Sequence, residues 1–479
     1  MKSIKWNKLF VALLLSLISY FFVSQKLLSS YNFDSDFARD LIQILGIAKG
    51  RITLIGPQTS FGGLYVGPYY YYLFVPIFFI TKYSMGAILY FNAFLYSLAV
   101  FYFFYRIYVK HSFLTSLLAS ATLLTSNVFI YSSRNPGNAF SYLPFLLFFL
   151  TYVSFSKIKY WYQGLLLGFV FGLILNFHYS NAILVPFTLL FFIKNRRVFI
   201  SYLLSFFLTF IPLFLFELRH GFIMLKNTFV TRSFTTFLGN QNLAGAASGK
   251  ENILENILFM NSEMNKWIQP MPLLLLILIL FFLLKGKLKF EEKILGITSL
   301  GGFLLLSILL RFQFTSFYLF PVALTLLVTL VLFLLKNKYG FLLLFFIFVL
   351  NVLTFPTYLY SDAVRPYTKF SQAVKFAIEK NLVGKSGFNI LQLRPDTIIA
   401  PHGNEYRYYF IKKGYIPDLP HEYNNSTTLL IFSEIPNYTI ESLNTWEVQQ
   451  FGTQHFKNKK IFTSGDVTIF KVDKINPGG

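Results

Sequence analysis

The sequence predicts a polytopic α-helical membrane protein with a small α/β domain at its C-terminal end. Hydrophobic residues make up 55% of the 479 residues, and the mean hydropathy of +0.56 exceeds that of typical soluble domains. Long apolar runs recur along the first 357 residues, separated by short clusters of lysine and arginine. After residue 357, segments of alternating apolar and polar residues follow, which is typical of strands.

The net charge and the missing cysteines exclude several functional classes. The formal charge is +22, but the basic residues lie between apolar runs, so they indicate membrane topology and nucleic acid is not an expected partner. The chain has no cysteine, which excludes disulfides, thiolate zinc sites and a cysteine nucleophile. The sequence contains no P-loop, no His-Glu-x-x-His pair and no Gly-x-Ser-x-Gly elbow.

Eleven apolar runs are predicted to span the bilayer. The first is an expected uncleaved helix, because no small-residue cleavage site follows it. With the N-terminus in the cytoplasm, the basic clusters all face the cytoplasm, as the positive-inside rule requires. The predicted spans are 9–28, 85–108, 113–131, 138–155, 160–176, 179–193, 198–217, 271–284, 294–310, 314–335 and 339–357.

Residues 69–81 differ from these eleven runs, because the apolar run is short and Pro76 interrupts it. We interpret it as a re-entrant or interfacial helix on the outer face. The transmembrane domain is then 1–357, with a first outer loop at 29–84, and the extracytoplasmic α/β domain is 358–479. Within that domain, strands are predicted at 389–394, 427–432 and 467–472, and a helix at 370–380.

The first outer loop concentrates charge in a chain that has only 13% charged residues. Asp34, Asp36, Arg39 and Asp40 lie within seven residues, and the run Gly67-Pro-Tyr-Tyr-Tyr-Tyr72 closes the same loop. One interpretation is a surface helix supported by ion pairs at i, i+3 and i+4. The second, which we prefer, is that the carboxylates carry chemistry.

Polar residues also collect in the other predicted outer loops, and this one-sided distribution predicts a shared polar cavity. Arginines there suit a lipid phosphate, tyrosines suit a sugar ring, and a carboxylate can accept a proton from a hydroxyl. Taken singly, arginines at helix ends can instead snorkel, and Glu217 can pair with Arg219. The candidate substrate-binding residues are Arg39, Asp40, Tyr69, Tyr70, Arg134, His178, Arg219, His220, Arg311 and Tyr318.

The motif Asp36-Phe-Ala-Arg39, the Gly67-Pro-Tyr turn, the many spans and the outer C-terminal domain resemble the GT-C glycosyltransferases. The nearest branch is that of the bacterial aminoarabinose and protein O-mannosyl transferases. The order of elements matches along the whole chain, and the sharp motifs lie in the first loop. The resemblance implies a polyprenyl-phosphate sugar as donor, an outer acceptor that is a lipid, a protein or a polysaccharide, and Asp36 as the general base.

Two departures from that family concern metal binding. Phe37 stands at the family's second acidic position, and Asn135 precedes Pro136 where an aspartate is frequent. A divalent metal, which the resemblance allows, therefore has no support, and no metal ligand is assigned. Two other functions are consistent with the sequence: a lipid-linked sugar transporter or flippase, and a scaffold that presents the C-terminal domain.

Overall fold

A computed structural model describes residues 6–59, 63–230, 247–395 and 402–474. These residues divide into two compact units. The helical unit comprises Met1–Leu27, Ile52–Ile77 and Gly86–Tyr360, and the α/β unit comprises Leu28–Arg51, Phe78–Met85 and Ser361–Gly479. Two pieces of the predicted first outer loop thus group with the C-terminal segment. Part of the predicted outer loop 218–270 lies outside the described residues.

The first half of the chain folds into thirteen helices within the described ranges. They are α1 Trp6–Ser24, α2 Leu27–Ser30, α3 Ser35–Ala48, α4 Tyr69–Ile80, α5 Met85–Tyr108, α6 Phe113–Leu124, α7 Asn127–Arg134, α8 Leu143–Phe155, α9 Trp161–Phe177, α10 Val185–Leu190, α11 Arg196–Leu208, α12 Ile211–Arg219 and α13 Ile223–Phe229. A 3₁₀ helix, Tyr179–Leu184, precedes α10.

The second half adds helices and strands. The helices are α14 Ile253–Asn265, α15 Pro272–Lys285, α16 Phe290–Leu309, α17 Phe320–Leu334, α18 Gly340–Leu353, α19 Tyr367–Glu379, α20 Asn404–Lys412 and α21 Trp446–Phe451. The strands are β1 Ala247–Ser248, β2 Gln313–Phe314, β3 Phe388–Leu393, β4 Thr428–Ser433, β5 Lys460–Ser464 and β6 Val467–Asp473. Short 3₁₀ helices lie at Ser316–Leu319, Thr357–Tyr360, Ile440–Ser442 and Thr453–Asn458.

Four helical segments in the described ranges are long and apolar enough to cross a bilayer, or six if each bent pair is one span. The bent pairs are α6 with α7, at 64°, and α11 with α12, at 44°, and they coincide with the predicted spans 113–131 and 198–217. Other predicted spans are apolar helices of 10–17 residues, shorter than the roughly 20 residues that a perpendicular span needs. The predicted number of eleven therefore stays a prediction.

The helical unit is organised around α17. All fifteen of its residues are buried, including the polar Thr325 and Thr329. Because the whole circumference is buried, α17 has no face left for solvent or lipid, and it occupies the interior of the bundle. The Thr325 hydroxyl donates to the carbonyl oxygen of Pro321 in the same helix at 2.7 Å. The Thr329 hydroxyl accepts a hydrogen bond from the Ser299 hydroxyl of α16 at 2.9 Å.

Glycines bring α9 and α11 into direct backbone contact. Gly164, Gly168 and Gly172 recur every four residues along α9 and so lie on one helix face. A Cβ atom on Gly168 would lie 2.1 Å from the carbonyl oxygen of Tyr202, and one on Gly164 would lie 2.3 Å from that of Val198. No side chain fits at these distances, so this pair of helices depends on the three glycines.

The α/β unit contains a four-stranded sheet in the order β3-β4-β6-β5. Strands β3 and β4 are parallel, while β4 pairs with β6, and β6 with β5, in antiparallel register. The alternating patterns near 389–394, 427–432 and 467–472 form β3, β4 and β6, and the helix predicted at 370–380 is α19. β5 has no counterpart among the predicted strands.

Helix α3 belongs to the α/β unit and packs against α20. Its buried apolar residues Phe37, Leu41, Ile44 and Leu45 follow helical spacing, so one face is apolar. Its start is set by Asp34, whose carboxylate accepts the amide of Phe37 at 2.9 Å. The side-chain amide of Asn404, at the start of α20, donates to the Ser35 hydroxyl at 3.0 Å.

Candidate functional site

The three carboxylates of the first loop lie in three different environments at the start of α3. Asp34 caps the helix and also accepts the Tyr31 hydroxyl at 3.2 Å. Asp36 lies in the first turn with 84% of its side chain exposed, whereas the side chain of Asp40 is 2% exposed. Asp36 is therefore the carboxylate of this segment that faces outward from the α/β unit.

Arg39 connects Asp36 and Asp40. Its Nη1 atom lies 2.9 Å from Oδ1 of Asp36, and its Nη2 and Nε atoms lie 3.0 and 3.1 Å from Oδ1 of Asp40. Burial raises the pKa of Asp40 to about 6, and the nearby Arg39 only partly offsets that rise. The ion-pair interpretation of this loop is thus realised in the structure. An exposed pair such as Asp36–Arg39 contributes only a few tenths of a kcal/mol to the stability of the protein.

The tyrosine run of α4 has mainly structural contacts. Tyr70 is fully buried, and its hydroxyl donates to the carbonyl oxygen of Pro136 at 2.8 Å. The Tyr72 hydroxyl bonds to the backbone carbonyl of Thr53 at 2.9 Å. A Cβ atom on Gly67 would lie 2.0 Å from Oδ1 of Asn176, so this position requires glycine. Within this run, Tyr69 is the predicted binding residue that remains partly exposed.

His178 and Tyr318, both predicted from the sequence, lie close together in the helical unit, with ring centroids 5.5 Å apart. Phe317 lies 5.5 Å from the same imidazole, and Tyr142 is nearly parallel to it at 6.4 Å. The Nδ1 atom of His178 is hydrogen-bonded to the hydroxyl of Ser180 at 2.7 Å, which orients the ring. Sequence reasoning did not identify Tyr142, because it begins an apolar run that offers no polar signal.

The side chain of Arg134 is hydrogen-bonded to backbone carbonyls of the helical unit. It is buried, and its guanidinium donates to the carbonyl oxygens of Val23, Gln25 and Leu359, the last two at 3.0 and 2.9 Å. The guanidinium also lies 4.0 Å from the centroid of the Tyr360 ring. These contacts join the ends of α1 and α7 to the segment before Tyr360, and they occupy donors that a lipid phosphate would need.

The end of α12 holds three of the polar residues that the sequence singled out, Glu217, Arg219 and His220. Glu217 is buried, and its carboxylate accepts the backbone amides of Met224 and Leu225 at 2.9 and 3.0 Å, at the start of α13. Arg219 and His220 are exposed, and the His220 ring stacks on Phe216 at 4.1 Å. Arg311, which follows α16, is also exposed. The alternative in which Glu217 pairs with Arg219 is therefore not the arrangement in the structure: Glu217 caps the next helix instead, because the short α13 presents two amides to its carboxylate.

No group of three or more histidine, aspartate or glutamate side chains in the described ranges is arranged to hold a metal ion.

The predicted site residues are divided between the two units of the structure. Asp36, Arg39 and Asp40 are grouped in the α/β unit, and His178 and Tyr318 in the helical unit.

Comparison with known proteins identifies the fold. No family model matches the sequence, and no curated protein matches it. Among solved structures, the chain is similar to ArnT from Cupriavidus metallidurans bound to undecaprenyl phosphate, with a TM-score of 0.59, 9% identity and coverage of 99% of this chain and 100% of that one. ArnT in the apo state has a TM-score of 0.57, with 10% identity and 98% and 97% coverage.

A third similar structure, an oligosaccharyltransferase from Archaeoglobus fulgidus, covers 88% of this chain and 67% of that one, at 12% identity and a TM-score of 0.47. The two ArnT structures match nearly the full length of both chains. The chain has the GT-C fold, as the resemblance of its first loop implied.

Proposed function

We propose that this protein is a membrane glycosyltransferase that takes a sugar from a polyprenyl-phosphate carrier and transfers it to an acceptor on the outer face of the plasma membrane. The single observation that carries the proposal is the full-length likeness to ArnT, one structure of which holds undecaprenyl phosphate. The apolar helices support a membrane location. The Asp-x-Ala-Arg motif at the start of α3 supports a transferase rather than a scaffold.

Asp36 is the proposed general base. Asp34 uses its carboxylate to cap α3, and Asp40 is buried, whereas Asp36 is exposed. A base must reach the proton that it removes, which favours the exposed carboxylate. Arg39 holds Asp36 from one side and is itself held by the buried Asp40. We therefore assign Arg39 and Asp40 to orienting Asp36.

The proposed reaction is a single displacement. Asp36 takes the proton of the acceptor hydroxyl, and the acceptor oxygen forms a bond to the anomeric carbon of the sugar. The bond from that carbon to the phosphate oxygen breaks, and the polyprenyl phosphate leaves with the electron pair. Attack from the side opposite the leaving group inverts the configuration at the anomeric carbon, and no nucleotide is required.

Residues of the helical unit are proposed to hold the donor. The exposed cations Arg219 and Arg311 suit the phosphate, since a guanidinium binds phosphate through two parallel hydrogen bonds. Tyr318 and the imidazole of His178 supply ring faces for the sugar, with Tyr69 and His220 as further contacts. Tyr70 and Arg134 are assigned to the scaffold, because their polar groups already bond to backbone carbonyls.

The test is Asp36→Asn in the purified full-length protein, supplied with a polyprenyl-phosphate sugar and an acceptor mixture. Loss of the base should lower transfer by at least about a hundredfold, with lipid binding and thermal stability retained. Glu379→Gln is the matched control, because Glu379 also forms an exposed ion pair within a helix, with Lys375 at 3.7 Å.

Undiminished transfer by Asp36→Asn would refute the role of Asp36. Movement of the lipid-linked sugar across vesicles by both the wild type and Asp36→Asn, with no transfer by either, would instead identify a transporter. If no transfer is measured, and variants at Asp36, Arg219 and Arg311 all still perform the protein's role in the cell, the protein is a scaffold.

A further inference from the structure

A cavity of about 350 Å³ opens in the helical unit where the turn between α15 and α16 meets the turn between α17 and α18. Lys285, Lys287 and Lys336 line it, together with the rings of Phe281, Phe282 and Phe333. None of the predicted donor-binding residues contributes to the cavity. Its size is within the usual range for small-ligand sites.

The charge around the cavity favours an anion. The segments 285–293 and 336–338 hold six lysines against two glutamates, a formal net charge of +4. One of those glutamates, Glu292, is buried and already engaged, because it accepts the backbone amide of Lys289 at 2.7 Å and pairs with Lys336. Lys285 and Lys287 are exposed at the cavity, so their ammonium groups can meet a ligand.

The apolar surface beside the cavity indicates that the anion carries a hydrocarbon chain. Ile277, Phe281 and Leu284 of α15 are 62%, 55% and 73% exposed. Their spacing of four and then three residues places them on one face of the helix, and Phe281 also lines the cavity. An acyl chain along this face would therefore lead into a headgroup position between the lysines.

We propose that the cavity binds the headgroup of an anionic phospholipid from the surrounding bilayer, with the phosphate between Lys285 and Lys287 and an acyl chain along α15. Basic pockets between membrane helices bind such headgroups through the charge of their lysines and arginines. This site is separate from the proposed transferase chemistry, and it makes no use of Asp36.

The experiment measures the thermal stability of the full-length protein in neutral detergent during titration with phosphatidylglycerol, phosphatidylcholine or inorganic phosphate. Phosphatidylglycerol should raise the Tm in a saturable way, with little effect from the other two. The double variant Lys285→Gln/Lys287→Gln should need about thirtyfold more phosphatidylglycerol for the same rise, from the loss of two lysines at about 1 kcal/mol each. Glu292 pairs with Lys336 and not with Lys285 or Lys287, so the double variant should fold like the wild type.

The matched control is Lys157→Gln/Lys159→Gln, which removes two exposed lysines from another basic cluster and should titrate like the wild type. An equal loss in both double variants would show that only overall charge attracts the lipid, and it would overturn the site. Equal stabilisation by inorganic phosphate would identify a soluble anion as the ligand, and equal stabilisation by phosphatidylcholine would show that the headgroup charge is irrelevant. Either result refutes the proposal.

Discussion

Arg365 forms a two-point ion pair with Glu434, through Nε at 3.0 Å and Nη2 at 2.9 Å. The same Nη2 atom lies 3.0 Å from the carboxylate of Glu405, which is fully buried. Arg365 also fastens the segment before α3, because its backbone carbonyl accepts the amide of Phe33 at 2.9 Å and its amide donates to Asn32. One arginine thus joins the sheet end, α20 and the chain that leads to Asp36.

Arg365→Gln should destabilise the α/β unit by about 3–5 kcal/mol, because two buried carboxylates lose their main counter-charge. The measurement is thermal or urea unfolding of the full-length protein, monitored through a spectroscopic signal that reports on the α/β unit. Lys375→Gln removes a cation from an exposed helical pair and should change stability by less than about 0.5 kcal/mol. Similar unfolding curves for both variants would show that the buried pairs contribute little.

Asp40 predicts a specific pH dependence of stability. Burial raises its pKa to about 6 in the folded protein, above the usual aspartate value, so the folded state binds more protons between about pH 4 and pH 6. The contribution of Asp40 to the free energy of unfolding is therefore fully present below about pH 4, and it is lost as the pH rises through 6. Asp40→Asn removes this titration, so the Tm of the wild type should fall relative to that of the variant across this window.

The opposite slope would contradict this prediction. A wild-type Tm that rises with pH relative to Asp40→Asn would mean that the pair with Arg39 outweighs burial and lowers the pKa of Asp40. Arg39→Gln is a useful companion variant. Without the guanidinium the pKa of Asp40 should rise further, which moves the transition to higher pH.

Gly168→Ala should destabilise the helical unit by about 1–3 kcal/mol, because its Cβ atom would lie 2.1 Å from the carbonyl oxygen of Tyr202 and α11 would have to move. The control is Gly302→Ala in α16, where the nearest atom to a new Cβ is a Val322 methyl at 3.4 Å. That change should be neutral or stabilising, since alanine favours a helix over glycine by up to about 1 kcal/mol. The Tm of the purified variants distinguishes the two.

The orientation of the chain can be tested with single cysteines, because the sequence has none to remove. Glu379→Cys should react with a membrane-impermeant maleimide in intact cells, since the α/β unit is proposed to be extracytoplasmic. Lys157→Cys and Lys338→Cys should react only after permeabilisation. Labelling of the two lysine positions on opposite sides would show that the predicted number of spans between them is wrong.

Local sequence patterns determined a large part of this protein. Apolar runs predicted a membrane protein, and alternating residues predicted β3, β4 and β6 in the segment after residue 357. These features depend on spacings of two to four residues, which the backbone geometry imposes locally. The glycine repeat at 164, 168 and 172 was a further local signal, and it would have predicted the close contact of α9 with another helix.

Only the tertiary structure decided how each polar side chain is used. Asp36 and Asp40 lie four residues apart in the same charged segment, yet the packing of α3 buries Asp40 and leaves Asp36 exposed. Arg134 finds its acceptors at Val23, Gln25 and Leu359, which lie more than 100 residues away in the sequence. Burial and pairing of charges depend on such distant neighbours, because the cost of desolvating a charge is set by everything that surrounds it. Composition and spacing along the chain do not contain that information.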